Sequence, residues 1–295
     1  MQDELLANVA RYSNACANQD GIAALPIAGM NIVRATQPSL INFAVYKPLV
    51  ALVLQGAKSV SVGASEQEFG AGESLIVTAE IPTISQVVRA SPAKPYFSFI
   101  TELDLSVLRE LSFETLEVDK NPSAVNIEQT DLDVAATANR IMHLVDRPDA
   151  LKALGQSLKR ELHYWLINGR HMKAIGSITK PGSQFTRISE VMSYIRLHYT
   201  EPQVISDLAQ RAGMSPTSFH QHFRAVTKLT PLQYQKQLRL IEARRAMLQD
   251  GRGIATVAYA VGYESVPQFT REYARFFGSP PGRDMRVSAA LKLAL

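Results

Sequence analysis

The 295-residue chain has one cysteine, Cys16, and one tryptophan. A single thiol excludes an intrachain disulfide and any cysteine-rich metal cluster, and it agrees with a reducing compartment. Cys16 has no partner thiol for a redox switch and is expected to be inert. All six histidines, His143, His163, His171, His198, His220 and His222, lie at or beyond residue 143. The first 142 residues therefore offer no imidazole to a metal, which removes histidine-ligated oxygenase or isomerase chemistry there. His220 and His222 are two apart on a helix and face different ways. No apolar run approaches the ~18 residues of a membrane span. The opening MQDELLANVARY carries acids where a secretory leader needs lysines. No G-x-S-x-G elbow or phosphate loop appears. A cytoplasmic protein with no membrane partner is expected, not an enzyme and without a cofactor.

What is present is enough to fold. Hydrophobic residues make up 46% and charged residues only 20% of the chain, which argues against wholesale disorder and, at this length, for two domains. The net charge of +4 is weak by itself, but its distribution is not. Residues 1–180 hold 16 Lys and Arg against 19 Asp and Glu, whereas residues 181–295 hold 15 against 8. A basic domain beside an acidic one suits a nucleic-acid binder with a separate control domain. The stretch Lys180-Pro181-Gly182-Ser183 has linker composition and marks the boundary between 1–180 and 181–295.

Residues 31–102 read as short strands: NIVRAT, LVALVLQ, KSVSVG, ESLIVTA, ISQVVRA and PYFSFITEL, punctuated by Gly and Pro. Their spacing suggests a sandwich or barrel. FGAGES reads as a turn between two antiparallel strands. The pattern then becomes helical over 104–112, 131–146 and 149–168. In the last of these Leu151, Leu154, Leu158, Leu162 and Trp165 form one apolar stripe. Two readings stand for it: packing on its own domain, or a dimer face.

The second half repeats itself. LAQRAGMSPTSFHQHFRAV (208–226) parallels VAYAVGYESVPQFTREYARF (257–276). Ala209 and Gly213 map onto Ala258 and Gly262. After one inserted residue, Ser215, Phe219, Phe223 and Val226 map onto Ser265, Phe269, Tyr273 and Phe276. Each copy reads helix, glycine turn, helix, the form of a helix-turn-helix at about 204–226 and 254–277. Ser215 is expected to cap the second helix of the first copy, with Pro216 at its first position. Ser265 and Gln268 form a capping box on the second copy. Between the copies, Thr230, Pro231, Gln233 and Gly251 bound a helix at about 231–249, nearly 30 Å long at 1.5 Å per residue. One turn of B-DNA is about 34 Å, so this connector could place two helices in successive major grooves.

The run IxxLAxxAGMSPxxFxxxFxxxTxxTPxxYxxxxRLxxARxxL, followed by IxxVAxxVGYxSxxQFxREYxRxFGxxP, resembles the AraC/XylS type of bacterial transcription regulator over about residues 187–281. YKPLVALVLQGAKSVSVG, FGAGESLIV and IPTISQVVRASPAKPYFSF are similar to the N-terminal cupin-like domain of one branch of that family. The implied fold is α+β: an N-terminal cupin-like β-barrel followed by helices, then an all-α domain with two helix-turn-helix motifs. The implied partners are double-stranded promoter DNA, a small-molecule effector in the barrel, a second copy of the chain, and RNA polymerase if the protein is an activator. The alternative is a constitutive regulator whose N-terminal domain only dimerises.

In that family, base contacts come from the first two turns of the recognition helix, which implies Thr217, His220 and Gln221, with Arg224 a turn further on. Gln can pair with adenine, and the Thr methyl can pack on a thymine methyl. On the second helix the outward positions are Val266, Pro267, Gln268 and Arg271. The first two are often polar in the family; here they can read only by apolar contact and shape. Ser265 and the exposed N–H groups at that helix start are expected on phosphate. Of Arg244 and Arg245, one is expected to tie the connector to a subdomain and the other to reach the backbone. Lys228 and Lys236 are generic basic-face residues. Arg34, Tyr46, Arg89, Tyr96 and Phe99 are of types that would line a barrel pocket.

Overall fold

The computed structural model describes residues 2–112 and 122–293. They divide into two compact units. One comprises residues up to 189 together with 225–228; the other comprises 190–224 and those from 229 onward.

The first unit begins with α1 (Gln2–Cys16) and continues through β1 (Ile22–Ala24), β2 (Met30–Ala35), β3 (Asn42–Tyr46), β4 (Leu49–Gln55), β5 (Ala57–Val62), β6 (Ser65–Gly70), β7 (Glu73–Val77), β8 (Ile81–Arg89) and β9 (Tyr96–Glu102). After α2 (Leu105–Leu111) come β10 (Val125–Gln129), α3 (Leu132–Leu144), α4 (Pro148–Asn168) and α5 (Met172–Thr179). Pairing is antiparallel throughout the described ladders, in a six-stranded sheet ordered β1-β2-β9-β4-β7-β10 and a four-stranded sheet ordered β3-β8-β5-β6.

The six segments read as strands from sequence are β2, β4, β5, β7, β8 and β9. The other four carry weaker signals. β6 is SEQEFG, with its first four residues exposed, and it takes its conformation from pairing with β5. The Gly70–Gly72 turn does not close a hairpin. β6 pairs with β5, whereas β7 pairs with β4 and β10, so the turn carries the chain from one sheet to the other.

Helices cover the six-stranded sheet. Leu5 and Val9 of α1 are fully buried, and α1 is tied to α3 by Asn8 Nδ2 donating to Asn139 Oδ1 (3.1 Å) and Asn139 Nδ2 donating to Glu4 Oε2 (3.0 Å). The leucine stripe of α4 is not one buried face. Leu151 and Leu162 are buried with Gly155, Leu166 and Ile167, whereas Leu154 is 51% exposed. Leu151, Gly155, Leu162 and Leu166 recur at three- to four-residue multiples on one face of α4, with Ile27 and Leu151 packed beside Gly155, and Leu154 lies off that face. Leu154 and Leu158 instead line an open groove of about 380 Å³ with Arg140, His143, Leu144 and Glu161.

Two histidines act as buried neutral connectors. His163 accepts from the Asp104 N–H at Nε2 (2.9 Å) and donates from Nδ1 to the Lys159 carbonyl (2.7 Å). That linkage joins α4 to the start of α2, where Asp104 caps the helix and its carboxyl is held down to about 2 by the Ser106 hydroxyl and the helix amides. His171 lies 2.7 Å from the Ser74 hydroxyl. Burial lowers both imidazoles, His171 to about 4. In the unfolded chain both take up a proton near pH ~6.5. Stability from these groups is therefore complete above about pH 6.5 and is lost as pH falls toward the folded value. His171→Gln is expected to flatten the fall in melting temperature between about pH 7 and pH 5, measured by thermal unfolding; an unchanged slope would contradict a buried neutral imidazole at this position.

Candidate nucleic-acid interface

The remaining helices are α6 (Gln184–Leu197), α7 (Ile205–Arg211), α8 (Pro216–Thr227), α9 (Pro231–Asp250), α10 (Ile254–Ala260), α11 (Val266–Phe277) and α12 (Pro281–Leu293). The sequence repeat is also a repeat of hydrogen bonds. Gly213 N–H donates to the Gln210 carbonyl and Met214 N–H to the Ala209 carbonyl, at 2.9 and 3.0 Å; Gly262 and Tyr263 make the same bonds to Tyr259 and Ala258, both at 3.0 Å. Both glycines sit at positive φ, 60° and 87°, the left-handed conformation this turn demands. Behind each second helix the aromatic pair repeats too. The Phe219 and Phe223 rings are 5.5 Å apart at 59°, and so are those of Phe269 and Tyr273; all four side chains are fully buried.

The caps set where each second helix starts. Ser215 accepts from the Ser218 N–H (3.3 Å), and Ser265 accepts from the Gln268 N–H (3.5 Å). The reciprocal half of the box expected at Ser265 is not made; the Gln268 amide instead reaches Glu272. Thr230 and Gln233 do form both halves, at 3.2 and 2.9 Å, and Gly251 closes α9 at φ 65°. Twenty residues give α9 a length of about 30 Å.

Two arginines bolt this connector in place. Arg239 donates to the backbone carbonyls of Tyr199 (2.6 Å), Thr200 (3.0 Å), Glu201 (3.2 Å) and Gly262 (2.9 Å), joining α9 to the second turn. Arg244 makes a bidentate pair with Asp284 at 2.8 and 3.2 Å, and the same carboxylate accepts from the Tyr273 hydroxyl at 2.6 Å. Burial would raise the Asp284 carboxyl, but Arg244 and Tyr273 outweigh it and the net shift is down. Arg244 is thus the tying arginine. Arg245 is half-exposed and pairs along its own helix with Glu242 (2.9 Å). Lys236 pairs with Glu272 (3.1 Å), and the Lys228 ammonium donates to the Ala225 carbonyl at the end of α8 (2.8 Å).

Of the residues expected at DNA, Thr217, His220, Gln221 and Arg224 are exposed, at three- and four-residue intervals along one face of α8. Pro267, Gln268 and Arg271 are exposed on α11. Val266 and Ser265 are half-buried, and Val266 packs against the apolar cluster behind its own helix. Arg224 and Arg271 carry no ion pair among the described residues. Sequence reasoning missed two positions. Arg275 is exposed one turn beyond Arg271, and the four-residue spacing alone could have placed it on that face. Arg239 carried no local signal, because its acceptors are main-chain carbonyls distant in sequence.

The two glycine turns and the αL cap make a discriminating prediction. A Cβ at Gly262 would sit 2.2 Å from the Thr200 carbonyl oxygen, whereas nothing lies within 4 Å of one at Gly251. Gly251→Ala is expected to cost only the conformational ~1–2 kcal/mol. Gly262→Ala should cost clearly more and should also disturb the Arg239 bonds. Thermal unfolding of the two variants decides it; equal losses would contradict the close approach.

Residues 26–174 match a family described as the AraC-type transcriptional regulator N-terminus, and residues 208–286 match a helix-turn-helix domain. The transcriptional regulator GbdR of Pseudomonas aeruginosa is 30% identical over 156 residues, 53% of this chain and 42% of that protein. The regulator ArgR of the same species is 23% identical over 149 residues, 50% of this chain and 45% of that one. The chain thus spans less than half the length of these curated relatives. Among solved structures, ToxT of Vibrio cholerae with a bound unsaturated fatty acid shares the fold at a TM-score of 0.57 and 9% identity, covering 87% of this chain and 94% of that one. With an N-terminal family match across half its length and a duplicated helix-turn-helix behind it, this chain belongs to the AraC-type transcriptional regulators.

Proposed function

We propose that the protein is a sequence-specific regulator of transcription, acting in the cytoplasm and not as an enzyme. Residues 181–295 read double-stranded promoter DNA; residues 1–180 sense a small molecule and pair two copies. The observation that carries this is the repeat itself. Two helix-turn-helix units with the same turn bonds and the same buried aromatic pair sit on one connector, and each leaves a polar, basic face exposed.

The roles follow from the side chains. Gln221 presents a paired donor and acceptor to adenine, Thr217 a methyl to thymine, and His220 a ring nitrogen to a base edge. Arg224 reaches guanine or phosphate. Gln268 and Arg271 supply the polar contacts of α11, with Pro267 and the exposed part of Val266 meeting the groove by shape. Ser265 spends its hydroxyl as a cap, so its phosphate contact comes through the neighbouring N–H groups. The groove beside Leu154, between α3 and α4, is the face we assign to pairing of two copies. If the protein activates transcription, RNA polymerase is the further partner.

Selection of bound duplexes from a random library by the full-length protein tests this reading. A motif spanning about two helical turns should be enriched. Gln221→Ala is expected to relax preference in one half of the motif by about tenfold, corresponding to one lost bidentate contact of about 1–3 kcal/mol. Arg271→Ala should weaken binding and reduce its salt dependence by about one phosphate contact. Enrichment no better than random DNA would overturn the proposal.

A further inference from the structure

The inner face of the four-stranded sheet is more polar than a packed interior requires. The register sets Asn42, Ala44 and Tyr46 opposite Ser85, Thr83 and Ile81, and sets Lys58 and Val60 opposite Val87 and Ser85. These residues share one face, and Val60, Ile81, Thr83, Ser85 and Val87 on it are buried, so it points inward. Tyr96 and Ser98 approach from the six-stranded sheet, with Tyr96 fully buried and close enough to Lys58 to feel its charge. The Lys58 ammonium donates to the Tyr46 hydroxyl at 3.1 Å, and that hydroxyl lies 2.9 Å from the Ser85 hydroxyl.

No carboxylate balances this cation: Lys58 makes no ion pair among the described residues. Burial works against its charged form, and the Tyr46 and Tyr96 oxygens outweigh that, so the net shift is upward and the lysine stays protonated. An enclosed ammonium without a counter-charge is costly, and a protein normally pairs it. One of its three N–H donors is used on Tyr46. Lys58 and Tyr46 are only half-buried, so both keep some solvent-accessible surface.

We propose that Lys58 is the anchor for the effector and that the effector is an organic carboxylate. One ammonium balances one negative charge. A phosphate monoester would bring an uncompensated second charge into an enclosed site, and a neutral sugar would leave the ammonium unpaired. The carboxylate accepts from Lys58 and from the Tyr46 hydroxyl, with Ser85 and Tyr96 beside them, and the rest of the ligand lies against the apolar lining. This assignment rests on the sensing role given above to residues 1–180.

The full-length protein is tested by thermal unfolding with benzoate and octanoate, each against its neutral amide, in the wild type, Lys58→Met and Lys58→Arg. At a hundredfold excess over Kd, at least one carboxylate should raise the wild-type melting temperature by roughly 5 °C, its amide should not, Lys58→Arg should retain a response and Lys58→Met should lose it. Without ligand, Lys58→Met should melt at or above the wild type, because an unbalanced charge has been removed. A purely structural lysine predicts the reverse: a lower melting temperature in every condition. Equal effects of acid and amide, an unaltered response in Lys58→Met, or no response to either carboxylate would overturn the proposal. Random-library DNA selection with the same wild-type preparation keeps the two claims apart. Enrichment without a carboxylate response removes this site and leaves the DNA-binding reading intact.

Discussion

A helix can offer a polar face to a partner only if its opposite face is anchored, and in this protein the anchor is a pair of buried rings behind the second helix of each helix-turn-helix. Phe219 and Phe223, Phe269 and Tyr273 are all fully enclosed; burying each such side chain contributes about 2–3 kcal/mol. The connector α9 is their common support. Tyr234 meets Phe223 edge-on at 5.6 Å, while Leu240, Ala243 and Met247 pack with Val257, Phe269 and Tyr273. A helix buried on two sides cannot show one clean apolar stripe. It is instead specified at its ends, by the Thr230 and Gln233 box and by Gly251, and along its length by Arg239 and Arg244.

The helix-turn-helix half was legible because its constraints are local. A left-handed turn needs glycine, a helix start needs Ser or Thr, and a buried face needs apolar residues every third or fourth position. Gly213 and Gly262, Ser215 and Ser265, and the two aromatic pairs meet all three conditions twice. What sequence alone left undecided was long-range. Whether Arg244 or Arg245 tied the connector depended on Asp284, some forty residues away, and the Arg239 bonds end on carbonyls with no side-chain signature. The cap at Ser265 shows the limit of a motif: its box is half-made, with the Ser265 hydroxyl accepting from the Gln268 N–H while the Gln268 amide nitrogen lies toward Glu272.

The N-terminal half was less legible because strands take their conformation from partners. SEQEFG is polar and would not be read as a strand alone, yet β5 pairs with every residue of it. Of the five residues read as pocket types, Tyr46 and Tyr96 face the interior. Phe99 and Arg34 share the opposite face of the six-stranded sheet, opposite Ile32 and Phe97 in its register, and Arg89 is exposed and paired with Glu68. Lys58 was overlooked although KSVSV contained the clue. Strand alternation puts Lys58 on the same face as Val60 and Val62, so the lysine had to point inward with them. The two halves use their polar groups in opposite ways: the helical domain displays them outward around a dry aromatic core, and the barrel turns several of them in.

The proposed function requires that one chain carry two DNA-reading helices set about one helical turn of DNA apart by the connector α9. Hydroxyl-radical footprinting of the full-length protein on its selected duplex tests this most directly. Each bound copy should protect two segments on the same face of the DNA, separated by about 10 base pairs, and Arg271→Ala should weaken one of the two. A single protected segment per copy would contradict the account.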